Sequence, residues 1–105
     1  MKDTIHLQPE KWNLQYFPPS GGKYSGKMSF EKDALIFNNK EKNNKQNIYV
    51  KIISNQIESF TINSGVIFNE VSISVNGKQH LFKGILISTQ KITKLLKDLT
   101  KTNIL

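Results

Sequence analysis

The sequence contains no cysteine and no arginine. The first absence excludes disulfides, zinc–thiolate sites and cysteine nucleophiles. The second means that all 15 basic residues are lysines, which give the chain a net charge of +7. Arginine supplies the bidentate fork that base and phosphate recognition commonly uses, so we do not expect a dedicated nucleic-acid reader. Asn, Ile and Lys all have AT-rich codons, so a biased genome composition would also produce the lysine excess.

Long apolar runs are also missing. The longest is Ala34-Leu35-Ile36-Phe37, whereas a membrane-spanning helix needs about 18 apolar residues. Residues 1–6 include no apolar core of a signal peptide. We therefore expect a soluble cytoplasmic protein, with peripheral contact to a membrane left open. The 105 residues indicate a single domain, 1–105, in which the polar residues 1–10 form a loose N-terminal arm.

Catalytic signatures are absent as well. The two histidines, His6 and His80, are far apart in the chain and neither lies in a nucleophile or carboxylate motif. No phosphate-binding loop, dinucleotide fingerprint or cluster with metal-ligand spacing occurs. We expect a protein that is not an enzyme and uses no cofactor or metal. His80 should instead be a partly buried packing residue that faces Ile73 across a hairpin.

What the sequence does contain is a hairpin followed by one helix. Val71, Ile73 and Val75 alternate with serines, as in a half-buried strand. Asn76-Gly77 then supplies the two residues that a type I′ turn favours. After the return strand, Ser88 and Thr89 precede an apolar i, i+3, i+4, i+7 stripe, formed by Ile92, Leu95, Leu96 and Leu99. The stripe must be buried, and the sheet is its available partner.

Alternating patterns and turn residues predict about seven antiparallel strands in all. Their predicted ranges are 12–17, 24–31, 34–37, 48–53, 57–62, 66–75 (with a bulge at Asn69-Glu70) and 78–87. Such spacing is typical of an antiparallel β-barrel or sandwich, and the C-terminal α-helix should cap it. The fold class is therefore mainly β. The residues predicted to be buried are Phe30, Leu35, Phe37, Phe60, Ile73, Phe82, Leu95 and Leu99.

These elements resemble the pleckstrin-homology-like (PH-like) fold, and within it the GRAM-type and bacterial PH-like domains. Gly26-Lys27-Met28-Ser29-Phe30 is similar to the family's glycine-led strand, and Leu35-Ile36-Phe37 to the strand that follows. Ile57-Glu58-Ser59-Phe60 and the hairpin from Val71 to Phe82 extend the resemblance. The family's Thr-Asp/Asn-x-Arg segment is replaced here by Glu31-Lys32-Asp33-Ala34. The resemblance implies a seven-stranded, partly open barrel whose end the helix closes.

The resemblance also implies a candidate anion or lipid site. Lipid-binding PH domains hold inositol phosphates with basic residues of the loop between the first two strands. Lys23 and Lys27 occupy comparable positions, and the backbone of Gly21 and Gly22 could line an anion site. The chain lacks the family's K-x-R pair, and a flexible turn with two solvated lysines is the alternative.

Two further lysine groups have simpler interpretations. Lys40, Lys42, Lys45 and Lys51 lack an aromatic residue for base stacking and are expected to be solvated. Lys94, Lys97 and Lys101 are expected on the exposed face of the helix. The function we expect is a non-catalytic binding or scaffolding module for a protein partner. Anionic membrane lipid and self-association through an exposed strand edge, giving a homo-oligomer, remain the alternatives.

Overall fold

The fold is one antiparallel sheet and one C-terminal helix. The computed structural model describes residues 11–39, 48–85 and 87–101, and Leu86 lies outside this part. The strands are β1 (Lys11–Phe17), β2 (Tyr24–Glu31), β3 (Ala34–Asn38), β4 (Tyr49–Ile53), β5 (Ser59–Ser64), β6 (Phe68–Val75) and β7 (Lys78–Ile85). A 3₁₀ turn at Ser54–Gln56 links β4 to β5, and helix α1 spans Thr89–Lys101.

The seven strands follow the order β4-β3-β2-β1-β7-β6-β5. Every neighbouring pair is antiparallel. The first strand therefore lies at the centre, and β4 and β5 are unpaired edges. The predicted mainly-β class with one helix is confirmed and is compatible with a PH-like fold. The sheet is not closed, so "barrel or sandwich" described it only loosely.

Most predicted strands lie within one or two residues of the observed ones, and β2 has the predicted bounds. The predicted bulge at Asn69-Glu70 is wrong, because these residues pair in unbroken register with Gly84 and Lys83. β6 begins only at Phe68, so Val66 and Ile67 belong to the turn before it. No bulge is needed, because Phe68 lies opposite exposed Ile85 on the outward face, in phase with Val71 on the core face. Val66 and Ile67 fall in the turn because β5 continues to Ser64.

One face of the sheet and the apolar stripe of α1 enclose the core. Ile92 and Leu96 are completely buried in α1, which packs against β5 and the 3₁₀ turn between the two edge strands. The predicted core residues that are buried are Leu35, Phe37, Ile73, Phe82 and Leu99. The predicted core residues that are only partly buried are Phe30, Phe60 and Leu95, which pack at the margin of the cluster.

Helix α1 begins where the sequence indicates. The Ser88 side-chain Oγ accepts a hydrogen bond from the Lys91 N–H at 3.3 Å, and the Ser88 carbonyl accepts one from the Ile92 N–H at 3.0 Å. This is N-cap geometry, which satisfies backbone donors that the first helical turn would otherwise leave unpaired. The cap fixes the start of α1 and therefore the direction in which its apolar stripe faces.

Two glycines lie where the neighbouring residues leave no room for a side chain. A Cβ atom on Gly26 would lie 2.6 Å from the Asn38 carbonyl oxygen. One on Gly84 would lie 2.8 Å from Ile87 Cγ2 and 3.0 Å from Leu14 Cβ. Leu14 pairs with Gly26 across β1 and β2. β2, β1 and β7 therefore contain a tightly packed line at which a side chain could not replace glycine without displacing its neighbours.

Candidate binding surface

An apolar turn projects from the sheet between β5 and β6. The Gly65 N–H donates a hydrogen bond to the Phe68 carbonyl at 2.9 Å and closes the turn. Val66 and Ile67 occupy its tip, where their relative exposures are 103% and 63%. Tight turns usually carry Gly, Asn, Asp or Pro, because these residues suit turn geometry and water. Val66 and Ile67 are branched aliphatic residues, which favour neither the geometry of a turn nor contact with water.

The exposed tip continues onto the outward face of the sheet. Phe68 opens β6 opposite Ile85, the last residue of β7, and both side chains are exposed. We call Val66, Ile67, Phe68 and Ile85 the apolar patch. Exposed apolar residues scattered singly are ordinary, whereas a contiguous group marks an interaction surface.

A lysine is held at the border of the apolar patch. Lys83 Nζ lies 4.9 Å from the centroid of the Phe68 ring, within the range of a cation–π contact. It also lies 3.6 Å from Glu70 Oε2. These contacts fix the ammonium group beside the patch, where a ligand covering Phe68 would meet it.

Beside the apolar patch, a groove of about 920 Å³ crosses the outward face of β3, β2, β1, β7 and the start of β6. Its floor includes Leu14, Gly26 and Gly84, the tightly packed line described above. Lys11, Lys27 and Lys83 line it, and no Asp or Glu among the described residues does. We call this the lysine groove. It combines a concave floor, positive charge and, at one end, the Phe68 and Ile85 side chains.

The predicted anion site lies in and after the loop that joins β1 to β2. Gly21 and Gly22 have φ angles of +103° and +99°, which favour glycine. Lys23 and Lys27 are both exposed. The backbone between them is extended, so their Cα atoms lie about 13 Å apart. Lys27 lines the lysine groove and Lys23 does not. Anion binding by these four residues stays a prediction.

The remaining lysine groups do not converge on one described surface. Lys51 Nζ lies 3.9 Å from Glu31 Oε1 in an exposed ion pair on the β4 side of the sheet. Lys94 and Lys97 are exposed on α1, as predicted. Some predicted features lie outside the described residues: Lys40, Lys42, Lys45, the N-terminal arm 1–10 with His6, and the side chain of Lys101.

His80 faces Ile73 across the β6–β7 pair, as predicted. Its Nδ1 lies 2.6 Å from the Tyr16 hydroxyl, and the two rings stack with centroids 5.9 Å apart. Burial lowers the pKa of His80 below its usual value. Burial, and then the nearby Tyr24, raise the pKa of Tyr16. Both groups are therefore neutral near pH 7 and share one hydrogen bond.

Residues 11–39, 48–85 and 87–101 include no group of three or more His, Asp or Glu side chains that could hold a metal ion. In the same ranges, no helix has the length and apolar character needed to cross a membrane.

Sequence reasoning missed the apolar patch and the lysine groove for different reasons. The alternation of 66–75 suggested that Val66 and Ile67 continue a strand, although Gly65 next to two aliphatic residues was a visible signal of a turn. The lysine groove takes residues from five strands, and only their register brings these residues together.

Comparison of this chain with protein-family models and with curated proteins returned no match. Its function is therefore argued from the fold and these surfaces.

Proposed function

We propose that this domain is a non-catalytic PH-like module, of the GRAM or bacterial PH-like type, that binds a protein partner. The observation that carries the proposal is the apolar patch, with Val66 and Ile67 fully or largely exposed at a turn tip. The seven-stranded antiparallel sheet with its C-terminal helix supports the PH-like assignment.

Covering the apolar patch would stabilise a complex by removing apolar area from water, at about 25 cal/mol for each Å². The aromatic ring of Phe68, next to Lys83, is the kind of anchor that protein interfaces concentrate near their centres. The patch also lies on a closed β-turn and two paired strands, so little backbone order has to be created on binding.

Anionic membrane is the second candidate, because Lys23 and Lys27 are exposed beside a glycine-rich loop. The glycine-rich loop and Lys23 lie at the other end of the domain. β1 runs antiparallel to β7, with Phe17 opposite Leu81 and Gln15 opposite Lys83. The apolar patch thus lies near the start of β1, whereas the glycine-rich loop follows its end, about 20 Å away. Lys27 pairs with Asn13 and lines the lysine groove, so Lys23 is the lysine whose replacement separates the two functions.

The test of protein binding is a photo-crosslinking side chain placed at Ile67 in cells that naturally make the protein. Thr61, exposed on neighbouring β5, is the matched control position. We expect position 67 to capture a specific protein that position 61 does not, followed by reconstitution with both purified proteins. The double variant Val66→Ser, Ile67→Ser should weaken that purified complex at least about 10-fold, since two buried aliphatic side chains contribute more than 1.4 kcal/mol.

Other crosslinked products from position 67 would contradict the proposal. Crosslinks from position 67 only to lipid would favour a membrane function. Crosslinks only to another copy of the chain, with a dimer in sedimentation, would favour self-association. Exposed Tyr49 on edge strand β4 would then be the next position to examine.

The membrane candidate is tested by co-sedimentation with anionic vesicles. Lys23→Gln, Lys27→Gln should weaken binding roughly 30-fold at low salt if the loop contacts lipid, at about 1 kcal/mol for each lysine. Lys94→Gln, Lys97→Gln on α1 makes the same change in net charge and is the control. Equal losses would mean that only net charge acts, and no binding by the parent protein would exclude this candidate.

A further inference from the structure

We propose that the lysine groove binds an extended acidic segment of the protein partner, with an apolar residue of that segment seated on Phe68 and Ile85. This rests on the proposed protein-binding function and names the chemistry of the partner.

The charge of the groove is one-sided. Lys11, Lys27 and Lys83 line it without a described carboxylate in the lining. Glu70 pairs with Lys83 from outside the lining. Asn13, Gln15 and Ser25 provide neutral polar groups between the lysines. A segment carrying carboxylates would therefore meet opposite charge along the groove, whereas a basic segment would be repelled.

The shape of the groove suits an extended chain. It crosses from β3 to β6, which is four inter-strand spacings, or about 19 Å at ~4.8 Å each. A fully extended peptide advances about 3.3 Å per residue, so about six residues span this length. Gly26 and Gly84 contribute backbone atoms to the floor, because the Cβ position of each is directed at buried side chains, Phe37 and Ile87.

The apolar end of the groove gives the segment a direction. Phe68 and Ile85 both line the groove and belong to the apolar patch. Lys83 stands directly over the Phe68 ring. A residue that covers the ring therefore places its neighbour next to the ammonium group. The segment that fits has an apolar residue at one end and carboxylates over Lys83, Lys27 and Lys11.

A nucleic-acid strand fits this surface less well. Phe68 is the only aromatic residue of the groove lining among the described residues, and stacking on successive aromatic rings is the usual basis of single-strand binding. The chain also has no arginine for base or phosphate recognition. Binding of a nucleic-acid strand is therefore one of the outcomes that the test below distinguishes.

The test is an NMR titration of the isotope-labelled full chain with synthetic peptides at low salt. The probe is a ten-residue peptide with four glutamates beside a leucine pair. One control peptide has glutamine in place of each glutamate, and a second has serine in place of each leucine. We expect the probe to shift the amide signals of Lys27, Gly84 and Ile85 and both controls to bind at least about 5-fold more weakly.

Matched variants show whether the groove itself is responsible. Lys11→Gln, Lys27→Gln should weaken binding of the acidic probe about 5- to 30-fold, because an exposed ion pair contributes about 0.5–1 kcal/mol. Lys94→Gln, Lys97→Gln removes the same charge from α1 and should weaken it less than 2-fold. The difference should shrink in 0.5 M salt, where screening shortens the range of the lysine field.

Several results would overturn the inference. They are equal losses in the two double variants, equal binding of the glutamine peptide, stronger binding of a single-stranded oligonucleotide, or no saturable shift at millimolar peptide. If the partner crosslinked at Ile67 binds the Lys11, Lys27 variant with unchanged affinity, the groove assignment fails while protein binding through the patch stands. If no partner crosslinks at Ile67, the proposed function itself fails.

Discussion

The core and the apolar patch are built from the same kinds of side chain and differ only in what covers them. Ile92, Leu96 and Phe82 have no exposed surface, whereas Val66 is 103% exposed. Apolar area contributes to stability only where it leaves water. The buried residues therefore stabilise the fold, while those of the patch can contribute only when a partner covers them. The two groups are therefore distinguished by their position in the fold and not by residue type.

The largest effect should come from the buried side of this comparison. Leu96→Ala should lower the free energy of unfolding by about 2–5 kcal/mol, because it removes a fully buried side chain and leaves a cavity beneath α1. Urea denaturation measures the change. Leu95→Ala, one residue away and only partly buried, should cost clearly less. Equal costs would show that α1 is rotated relative to the sheet.

The next effect tests the tight line beneath the lysine groove. Gly26→Ala should destabilise the domain by about 1–3 kcal/mol, since the new methyl group must displace its neighbours. Backbone atoms of β3 are among these neighbours, at 2.6 Å. Ser25→Ala, exposed on the same strand, should change stability by less than about 0.5 kcal/mol. Thermal unfolding of both variants provides the measurement, and an unaffected Gly26→Ala protein would contradict the close approach.

A smaller effect should appear with pH, at the margin of the core. Because the folded-state pKa of His80 is lowered, the stability that neutral His80 provides is complete above the unfolded value of about 6.5. It is lost as the pH falls through the lowered folded-state pKa. We expect the urea midpoint to decrease between pH 7.5 and 5.0. His80→Gln, which cannot titrate, should show a weaker decrease; an identical pH profile would assign the effect to other groups.

The smallest effect on stability should come from the apolar patch. Val66→Ser, Ile67→Ser should change the free energy of unfolding by less than about 0.5 kcal/mol, as exposed substitutions usually do. The same variant should lose partner binding, so stability and recognition separate in one molecule. A large loss of stability, measured in urea, would show that the tip is covered within the folded chain.

Much of the fold could be predicted because local patterns determine it. The alternation in β2, the Asn76-Gly77 turn and the stripe of α1 each identify their element without tertiary information. The exact burial of Leu95 could not be predicted, because it depends on how α1 is rotated above the sheet. A stripe of four apolar residues is compatible with more than one rotation.

The candidate surfaces were harder to predict, for a different physical reason. Lys27 was identified as a candidate from its place after a glycine-rich loop, but its neighbours in the lysine groove come from strands that are distant in sequence. Lys83 and Lys27 share a surface because β1 lies between their strands, and no local pattern specifies that order. Val66 and Ile67 were assigned to a strand because the residues that follow them have a strand pattern.

The central position of β1 has a consequence for the order in which the domain can form. β1 is the first of the described strands, yet it pairs with β7, the last. During synthesis, which adds about 5–20 residues each second, β1 can pair with β2 long before β7 has emerged. One of its hydrogen-bonding edges therefore waits for nearly the whole domain to be made. Pairing of such distant segments slows folding toward the millisecond-to-second range. Until then the nascent chain exposes one edge of its central strand. That edge can pair with other chains until residues 78–85 have been synthesised and can form β7.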